Sequence, residues 1–311
     1  MATVELRQVE YFLGVVEHGG IRRAAAALHA AQPSLSQGIR SLERELGIEL
    51  FHRVGRRMVL APAGKAFIRP ARQLRRDAVT ARSAVAGALG LAGGRLDIVS
   101  EPALSADPTA ALLGRFRIEN PHVHVRLQAA AREDSLTTLV RDGECELGLG
   151  YLPQPLSGLD SHIVGEHEIF LVQPSDASDA GVPIPLEMLD ELGMIVVPKG
   201  SAQRDFFEPL LDAAGVRTRI AVQVAHREAI LPLVLAGVGA SLLPGPRAEE
   251  AARRKAVIRP VQPPLRRQVA LFHRPGALSS AAGAFREMAL DSRITSRTRD
   301  RHRQESLGGR G

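Results

Sequence analysis

Gln32-Pro33-Ser34-Leu35-Ser36-Gln37-Gly38-Ile39-Arg40-Ser41-Leu42-Glu43-Arg44-Glu45-Leu46-Gly47 is the stretch on which the fold turns. Leu35, Ile39, Leu42 and Leu46 recur at three- and four-residue spacing, which sets them on one stripe of a helix. Pro33 suits the first turn, where its missing N–H has no partner to lose, and Gly47 suits the stop. If the stripe faces a core, a turn of about 100° per residue carries Gln37, Arg40 and Arg44 to the far side, with Ser34 and Ser41 flanking. The stretch therefore predicts a helix whose outward face is polar and basic.

Upstream, Leu6, Val9, Phe12, Leu13 and Val16 mark an amphipathic helix from Glu5 to His18, stopped by Gly19 and Gly20. A short helix from Ile21 to Leu28 and the turn His29-Ala30-Ala31 lead into the quoted stretch. Downstream, Leu50 to Leu60 gives two strand-like runs around Gly55, a hairpin carrying Arg53, Arg56 and Arg57 at its tip. Many small helical domains share this order of elements. The wording is more specific. Ala24-Ala25-x-x-Leu28, the run Gln32-Pro33-Ser34-Leu35-Ser36-x-x-Ile39-x-x-Leu42-Glu43-x-x-Leu46-Gly47-x-x-Leu50-Phe51-x-Arg53, and Pro62-x-Gly64 closely resemble the N-terminal signature of LysR-type transcriptional regulators, a bacterial family.

That resemblance is dense to about residue 92 and weaker to about Asp291. It implies an α + α/β chain: an N-terminal winged helix-turn-helix (1–61), a long dimerisation linker helix (62–92) and a C-terminal two-lobed α/β effector domain similar to periplasmic binding proteins (93–292). The first lobe would take about 93–163 and 267–292, the second about 164–266. It also implies double-stranded promoter DNA, a small-molecule effector, RNA polymerase and further copies of the chain, as homodimer or homotetramer, as partners. No cofactor or catalytic residue is expected. Gln32, Ser34, Ser36, Gln37 and Arg40 are the candidate groove contacts, since amides, hydroxyls and guanidinium groups meet base edges and phosphates. Arg53, Arg56 and Arg57 are the candidate wing contacts to backbone or minor groove. Capping or solvation is the alternative role for each Ser or Gln, and a plain surface charge for each Arg. The family often has Arg-Gln where this chain has Gln37-Gly38, so site preference does not transfer from relatives, and Ala61 stands where a Thr commonly precedes the Pro-x-Gly turn.

Between Pro62 and Ala92, Phe67, Leu74, Ala81 and Ala88 repeat every seven residues, with Ala71, Ala78 and Val85 four places after the first three. Two interleaved heptad positions describe a coiled-coil seam, the alternative being a lone surface helix. Pro70 should kink this helix or mark its effective start. Beyond Arg95, apolar runs at Leu96–Ser100, Val123–Gln128, Leu147–Tyr151, Ile169–Val172, Met194–Val197, Ile220–Val224 and Ala240–Leu243 alternate with helical patterns, as in α/β units with largely parallel sheets. Phe116-x-x-x-x-Pro121, Gly143-Glu144-x-Glu146-Leu147-Gly148, Gly200-Ser201 with Arg204, and Ala236-Gly237-x-Gly239-x-x-Leu242-Leu243-Pro244 resemble landmarks of the family's effector domain. Crossing strands are expected near Ile163 to Ile169 and Arg266 to Phe272.

Ligands of open α/β sheets sit at the carboxyl ends of strands. The candidates there are Ser100, Glu101, Ala129, Gly150, Lys199, Ser201 and His226, with helix capping or solvation as the alternative. A carboxylate at Glu101 would oppose an anionic effector and favour an amine or an empty, constitutive site. The net charge of +6, carried almost wholly by arginine since Lys65, Lys199 and Lys255 are the only lysines, agrees with a phosphate-bearing partner. A single cysteine, Cys145, excludes an internal disulfide and reads as a buried thiol in a reducing cytosol. The N-terminus does not read as a secretory signal, and the longest uncharged run, Ala229 to Pro246, is broken by prolines and glycines. The expectation is a cytoplasmic, nucleoid-associated protein without membrane contact. An enzyme would need a catalytic constellation, and no Walker-type loop, Gly-x-Ser-x-Gly elbow or His-Glu-x-x-His is present. His122 and His124, two apart on an expected strand, share a face that could bind a metal, but no metal site is expected. A cytosolic binding protein without a DNA role would leave the first half unexplained. The Arg-rich stretch 293–311 has too few apolar residues for a core and reads as a disordered basic tail.

Overall fold

The computed structural model describes residues 4–54, 57–88, 93–130, 133–177, 180–292 and 294–295. In chain order these form α1 (Leu6–His18), α2 (Ile21–Ala27), α3 (Gln32–Leu46), β1 (Phe51–Val54), β2 (Arg57–Leu60) and α4 (Pro62–Ala88). The second half continues with β3 (Gly94–Ser100), α5 (Ala110–Glu119), β4 (Val123–Ala129), α6 (Glu133–Arg141), β5 (Leu147–Tyr151), β6 (Asp160–Gln173), β7 (Ile184–Pro185), β8 (Gly193–Val196), α7 (Ala202–Ala213) and β9 (Arg219–Gln223). It ends with α8 (Ile230–Leu235), β10 (Ser241–Pro244), α9 (Gly245–Arg253), β11 (Val257–Gln262), β12 (Arg266–His273), α10 (Ser280–Asp291) and β13 (Ile294–Thr295).

The first three helices enclose one apolar centre, with Phe12, Leu13, Leu35 and Leu42 wholly buried in it. Glu5 and Gln8 form a capping box at the start of α1, each satisfying a backbone N–H of the other's segment. Gly47 ends α3 at φ 69°, a left-handed conformation that costs glycine little. Leu46 is 37% exposed, so the apolar stripe of α3 runs off the core at its last position. Gly38 has a packing reason: a Cβ there would stand 2.5 Å from Cδ2 of Tyr11. A helix-interior glycine costs about 1 kcal/mol against alanine, and here it lets the Tyr11 ring of α1 lie directly on α3.

β1 and β2 pair antiparallel, Phe51 opposite Leu60 and Val54 opposite Arg57, which is the wing. It is tied to α3 by one carboxylate. Glu43 Oε1 accepts from the backbone N–H groups of Leu50 at 2.9 Å and Phe51 at 3.2 Å. Glu43→Ala leaves both donors without that acceptor and is expected to cost about 1–3 kcal/mol. Urea unfolding measures the loss, and a change below a few tenths of a kcal/mol would show that water replaces the carboxylate.

The helix α4 runs from Pro62 through Pro70 to Ala88, so Pro70 is not its effective start. The reason lies in its first turns: Phe67 and Ile68 before the proline and the fully buried Ala71 after it pack into the helix-turn-helix core and hold the helix on both sides of Pro70. Those same contacts shorten the expected seam. Phe67 and Ala71 are used within the chain, whereas Leu74 is 44% and Val85 63% exposed. The side chain of Ala88 lies outside the described residues.

In the second half β4-β3-β5 form a parallel sheet, and β12 pairs antiparallel with both β5 and β6. The fourteen-residue β6 spans two lobes. From Asp160 to Glu168 it pairs with β12, and from Ile169 to Gln173 with β10 and β11. The expectation of largely parallel sheets is therefore corrected: the two crossing strands run in opposite senses, so the junction is antiparallel. Lobe I packs α5 and α10 on one sheet face and α6 on the other, with Leu96, Ile98, Leu147 and Phe285 in one core and Val99, Val140 and Phe272 in the second. Lobe II likewise has two cores, around Leu171 with Phe207 and around Val172 with Val234. The expected disordered tail is corrected at its start, because Ile294 and Thr295 pair parallel with Gly165 and Glu166 of β6. Ile294 is an apolar, β-branched residue suited to a strand. Residue 293 and residues 296–311 lie outside the described ones. Among the described residues no helix is long and apolar enough to cross a membrane.

Candidate functional site

The outer face of α3 is built by what the inner face buries. With Leu35, Ile39 and Leu42 turned inward, Gln32, Ser34, Gln37 and Arg40 are exposed and Ser36 is half-buried. The position before the helix is Ala31, with no side-chain cap, so neither serine is engaged as an N-cap. Among the described residues none of these five side chains makes an intramolecular hydrogen bond, unlike Arg44, which folds back onto the Arg40 carbonyl at 3.3 Å. Arg53 stands exposed on β1. Arg56 and the side chain of Arg57 lie outside the described residues. The result is a polar, donor-rich helix face beside a basic hairpin.

A second candidate site lies at the carboxyl ends of β3 and β5, where the crossing strands meet them. Ser100 and Glu101 are both buried. The Ser100 hydroxyl is engaged within the lobe, 2.9 Å from Thr109 Oγ1 and 3.1 Å from the Glu101 carbonyl. Glu101 Oε2 accepts from the backbone N–H of Tyr151 at 3.0 Å, while its buried Oε1 has no protein partner. Tyr151 Oη is 2.7 Å from His167 Nδ1 on β6. Burial pushes the Tyr151 hydroxyl up from its ordinary range, so it stays protonated beside Nδ1. His167 Nε2 lies 3.6 Å from Asp107 Oδ1, beyond hydrogen-bond reach. Directly opposite His167 in the β6–β12 register is Arg267. Its guanidinium lies over the rings of Tyr151, at 4.2 Å, and of Phe206 on α7, at 4.6 Å. One cation thus bridges aromatic groups of both lobes.

Sequence reading missed Tyr151, His167, Arg267 and Phe206. The available signal was an ionisable residue on each expected crossing strand, His167 and Arg267. Other expected ligand residues are placed differently. Gly150 has a packing reason for lacking a side chain: a Cβ would meet Leu136 Cδ2 at 2.7 Å and Gln154 Nε2 at 2.6 Å. Ser201 caps α7, accepting from the Arg204 N–H and donating to the Pro198 carbonyl at 2.8 Å. Lys199 reaches Glu208 at 2.9 Å, and this hydrogen bond holds the Glu208 carboxyl below its usual value. Ala129 and His226 are exposed.

Cys145 is wholly buried, and burial pushes its thiol up to about 12. At neutral pH almost no thiolate is present, which makes it a poor nucleophile. Labelling of the native chain by a maleimide is expected to be at least about a hundredfold slower than in denaturant. Equal rates in the two states would show that the thiol is reached in the folded protein.

A winged helix-turn-helix joined by a long helix to a two-lobed α/β domain with crossing strands defines a DNA-binding regulator that carries its own small-molecule domain. Residues 6–65 match the family described as the bacterial regulatory helix-turn-helix protein, lysR family, and residues 89–293 match the LysR substrate binding domain. The chain belongs to the LysR family of transcriptional regulators. It is 30% identical over 291 residues to the RuBisCO operon transcriptional regulator of Allochromatium vinosum, covering 92% of this chain and 96% of that one. Among solved structures, a full-length cysteine variant of OxyR from Pseudomonas aeruginosa is similar with a TM-score of 0.73 at 22% identity, covering 93% of this chain and 94% of that one. CbnR in complex with its target DNA is similar with a TM-score of 0.64 at 23% identity, covering 93% and 99%. These two likenesses are of fold.

Proposed function

We propose that Gln32, Ser34, Ser36, Gln37 and Arg40 enter the major groove of promoter DNA while Arg53, Arg56 and Arg57 follow the neighbouring backbone or minor groove. The observation that carries this reading is the outer face of α3, whose polar side chains make no intramolecular hydrogen bond among the described residues beside an exposed Arg53. Residues 1–61 act as the DNA-binding unit, 62–92 as the linker and 93–292 as the sensing unit. The exposed Leu74 and Val85 of α4 supply a seam for a second copy of the chain. In this reading the protein is a regulator without catalytic activity, working in the cytoplasm at the nucleoid.

The effector binds between the lobes, bordered by Ser100 and Glu101 on one side and by Lys199, Ser201 and His226 on the other. The unpartnered Oε1 of Glu101 supports a ligand that presents an N–H or O–H donor, an amine or a hydroxyl. Effector binding shifts the lobes between two arrangements, and linkage requires that it prefer one of them.

The test is binding of a footprinted promoter fragment by the wild type and by a chain with Arg53, Arg56 and Arg57 all changed to Ala. Three lost phosphate contacts lower the steepness of log K against log salt by up to about three, at roughly 0.9 per contact. Unchanged affinity and salt slope would remove the wing from the interface.

A further inference from the structure

A cavity of about 690 Å³ lies far from the carboxyl ends of the sheet strands, between the linker helix α4 and the amino-terminal edge of lobe I. Six guanidinium groups and five carboxylates line it. Every carboxylate already has a partner. Glu17 holds Arg75 at 2.8 Å, Glu144 holds Arg72 at 2.7 Å, and Asp97 holds Arg126 at 2.6 Å and Arg95 at 2.9 Å. Asp77 accepts from Gln73 at 2.6 Å, and Glu146 accepts from the Ser279 N–H and hydroxyl at 2.6 and 2.8 Å.

The guanidinium side is not balanced. Arg274 Nε and Nη1 are buried without a hydrogen-bond partner, and so are Nε of Arg72 and of Arg76. Burial and the nearby charge of Arg69 on α4 lower Arg274 to about 10. An uncompensated, half-buried guanidinium facing another cation is costly unless an anion joins them. Four unused N–H donors around one cavity, on residues from both the linker helix and lobe I, suit the several acceptor oxygens of a tetrahedral oxyanion.

We propose that this cavity is a binding site for a phosphate dianion, free or carried on a small metabolite, held by Arg274 from lobe I and by Arg72 and Arg76 from α4, with the charge of Arg69 near Arg274 adding to the positive field. Its occupant fastens the linker helix to the sensing lobe. This site is separate from the cleft between the lobes, and the two make different demands: an acceptor-rich anion here, a donor there.

Titration of the full-length chain with sodium phosphate, followed by calorimetry and by melting temperature, tests it against sodium chloride at matched ionic strength. Wild type is expected to show saturable stabilisation by phosphate beyond that of chloride, and Arg274→Gln to weaken phosphate binding at least about tenfold. Arg69→Gln, at an exposed position on α4, removes the charge near Arg274, is expected to weaken binding in the same direction and serves if the first variant does not fold. Running glycerol phosphate in parallel identifies the source: a tighter ester points to a metabolite, equal binding to free phosphate. The proposal is overturned if phosphate does no more than chloride, or if both variants bind it as the wild type does.

Discussion

Replacing Phe12 by alanine is expected to cost about 3–5 kcal/mol of stability in the DNA-binding unit, the range for deleting a fully buried phenyl ring. The ring has no exposed surface, and its centroid lies 5.4 Å from that of Phe51 on the wing and 5.1 Å from that of Phe67 on α4. The cavity left behind opens where three elements meet, so none of them relaxes into it without disturbing the other two. Calorimetry of the full-length chain should show a transition of the N-terminal unit moved to lower temperature, with DNA affinity falling as that transition is approached. Phe12→Leu, which keeps much of the volume, should recover most of the loss. A cost below about 1 kcal/mol would mean that the three elements hold each other without this ring.

The second large effect concerns discrimination. Gln37→Ala and Arg40→Ala are each expected to lose about 1–3 kcal/mol on the cognate site, roughly five- to 150-fold in affinity. Binding to unrelated DNA should change much less, because that binding rests on phosphate contacts spread over the interface. Competition assays with cognate and scrambled duplexes measure the ratio. An equal loss on both duplexes would make the two residues phosphate contacts and leave base reading to Ser34, Ser36 and Gln32.

The helix-turn-helix was legible because its determinants are local. The spacing of Leu35, Ile39 and Leu42, the first-turn Pro33 and the Gly47 stop all lie within one helix, and the outward face follows by rotation. The reason for Gly38 was not legible, because Tyr11 lies in another helix and only tertiary packing brings its ring there. The linker shows the same limit: a heptad pattern does not distinguish a residue buried in its own domain, such as Ala71, from one left exposed, such as Leu74. The cleft was the hardest to read. Its strand ends were placed correctly, but Glu101, Tyr151, His167 and Arg267 come from four strands or strand ends, and their register is set by how β6 and β12 pair. Gly150 and Tyr151 are neighbours in sequence, yet alternation along β5 sends one side to α6 and the other to the cleft.

The pairing of β6 with strands of both lobes also decides what kind of joint connects them. The lobes are not two bodies on a loose tether, because β6 is hydrogen-bonded on both sides of the crossing, and β12 beside it changes register between Val269 and Ala270. Such a joint behaves as a leaf spring rather than an axle. Rotation of one lobe is spread as extra twist along a two-stranded ribbon, the backbone bonds stay made, and the elastic restoring torque returns the lobes when the load is removed.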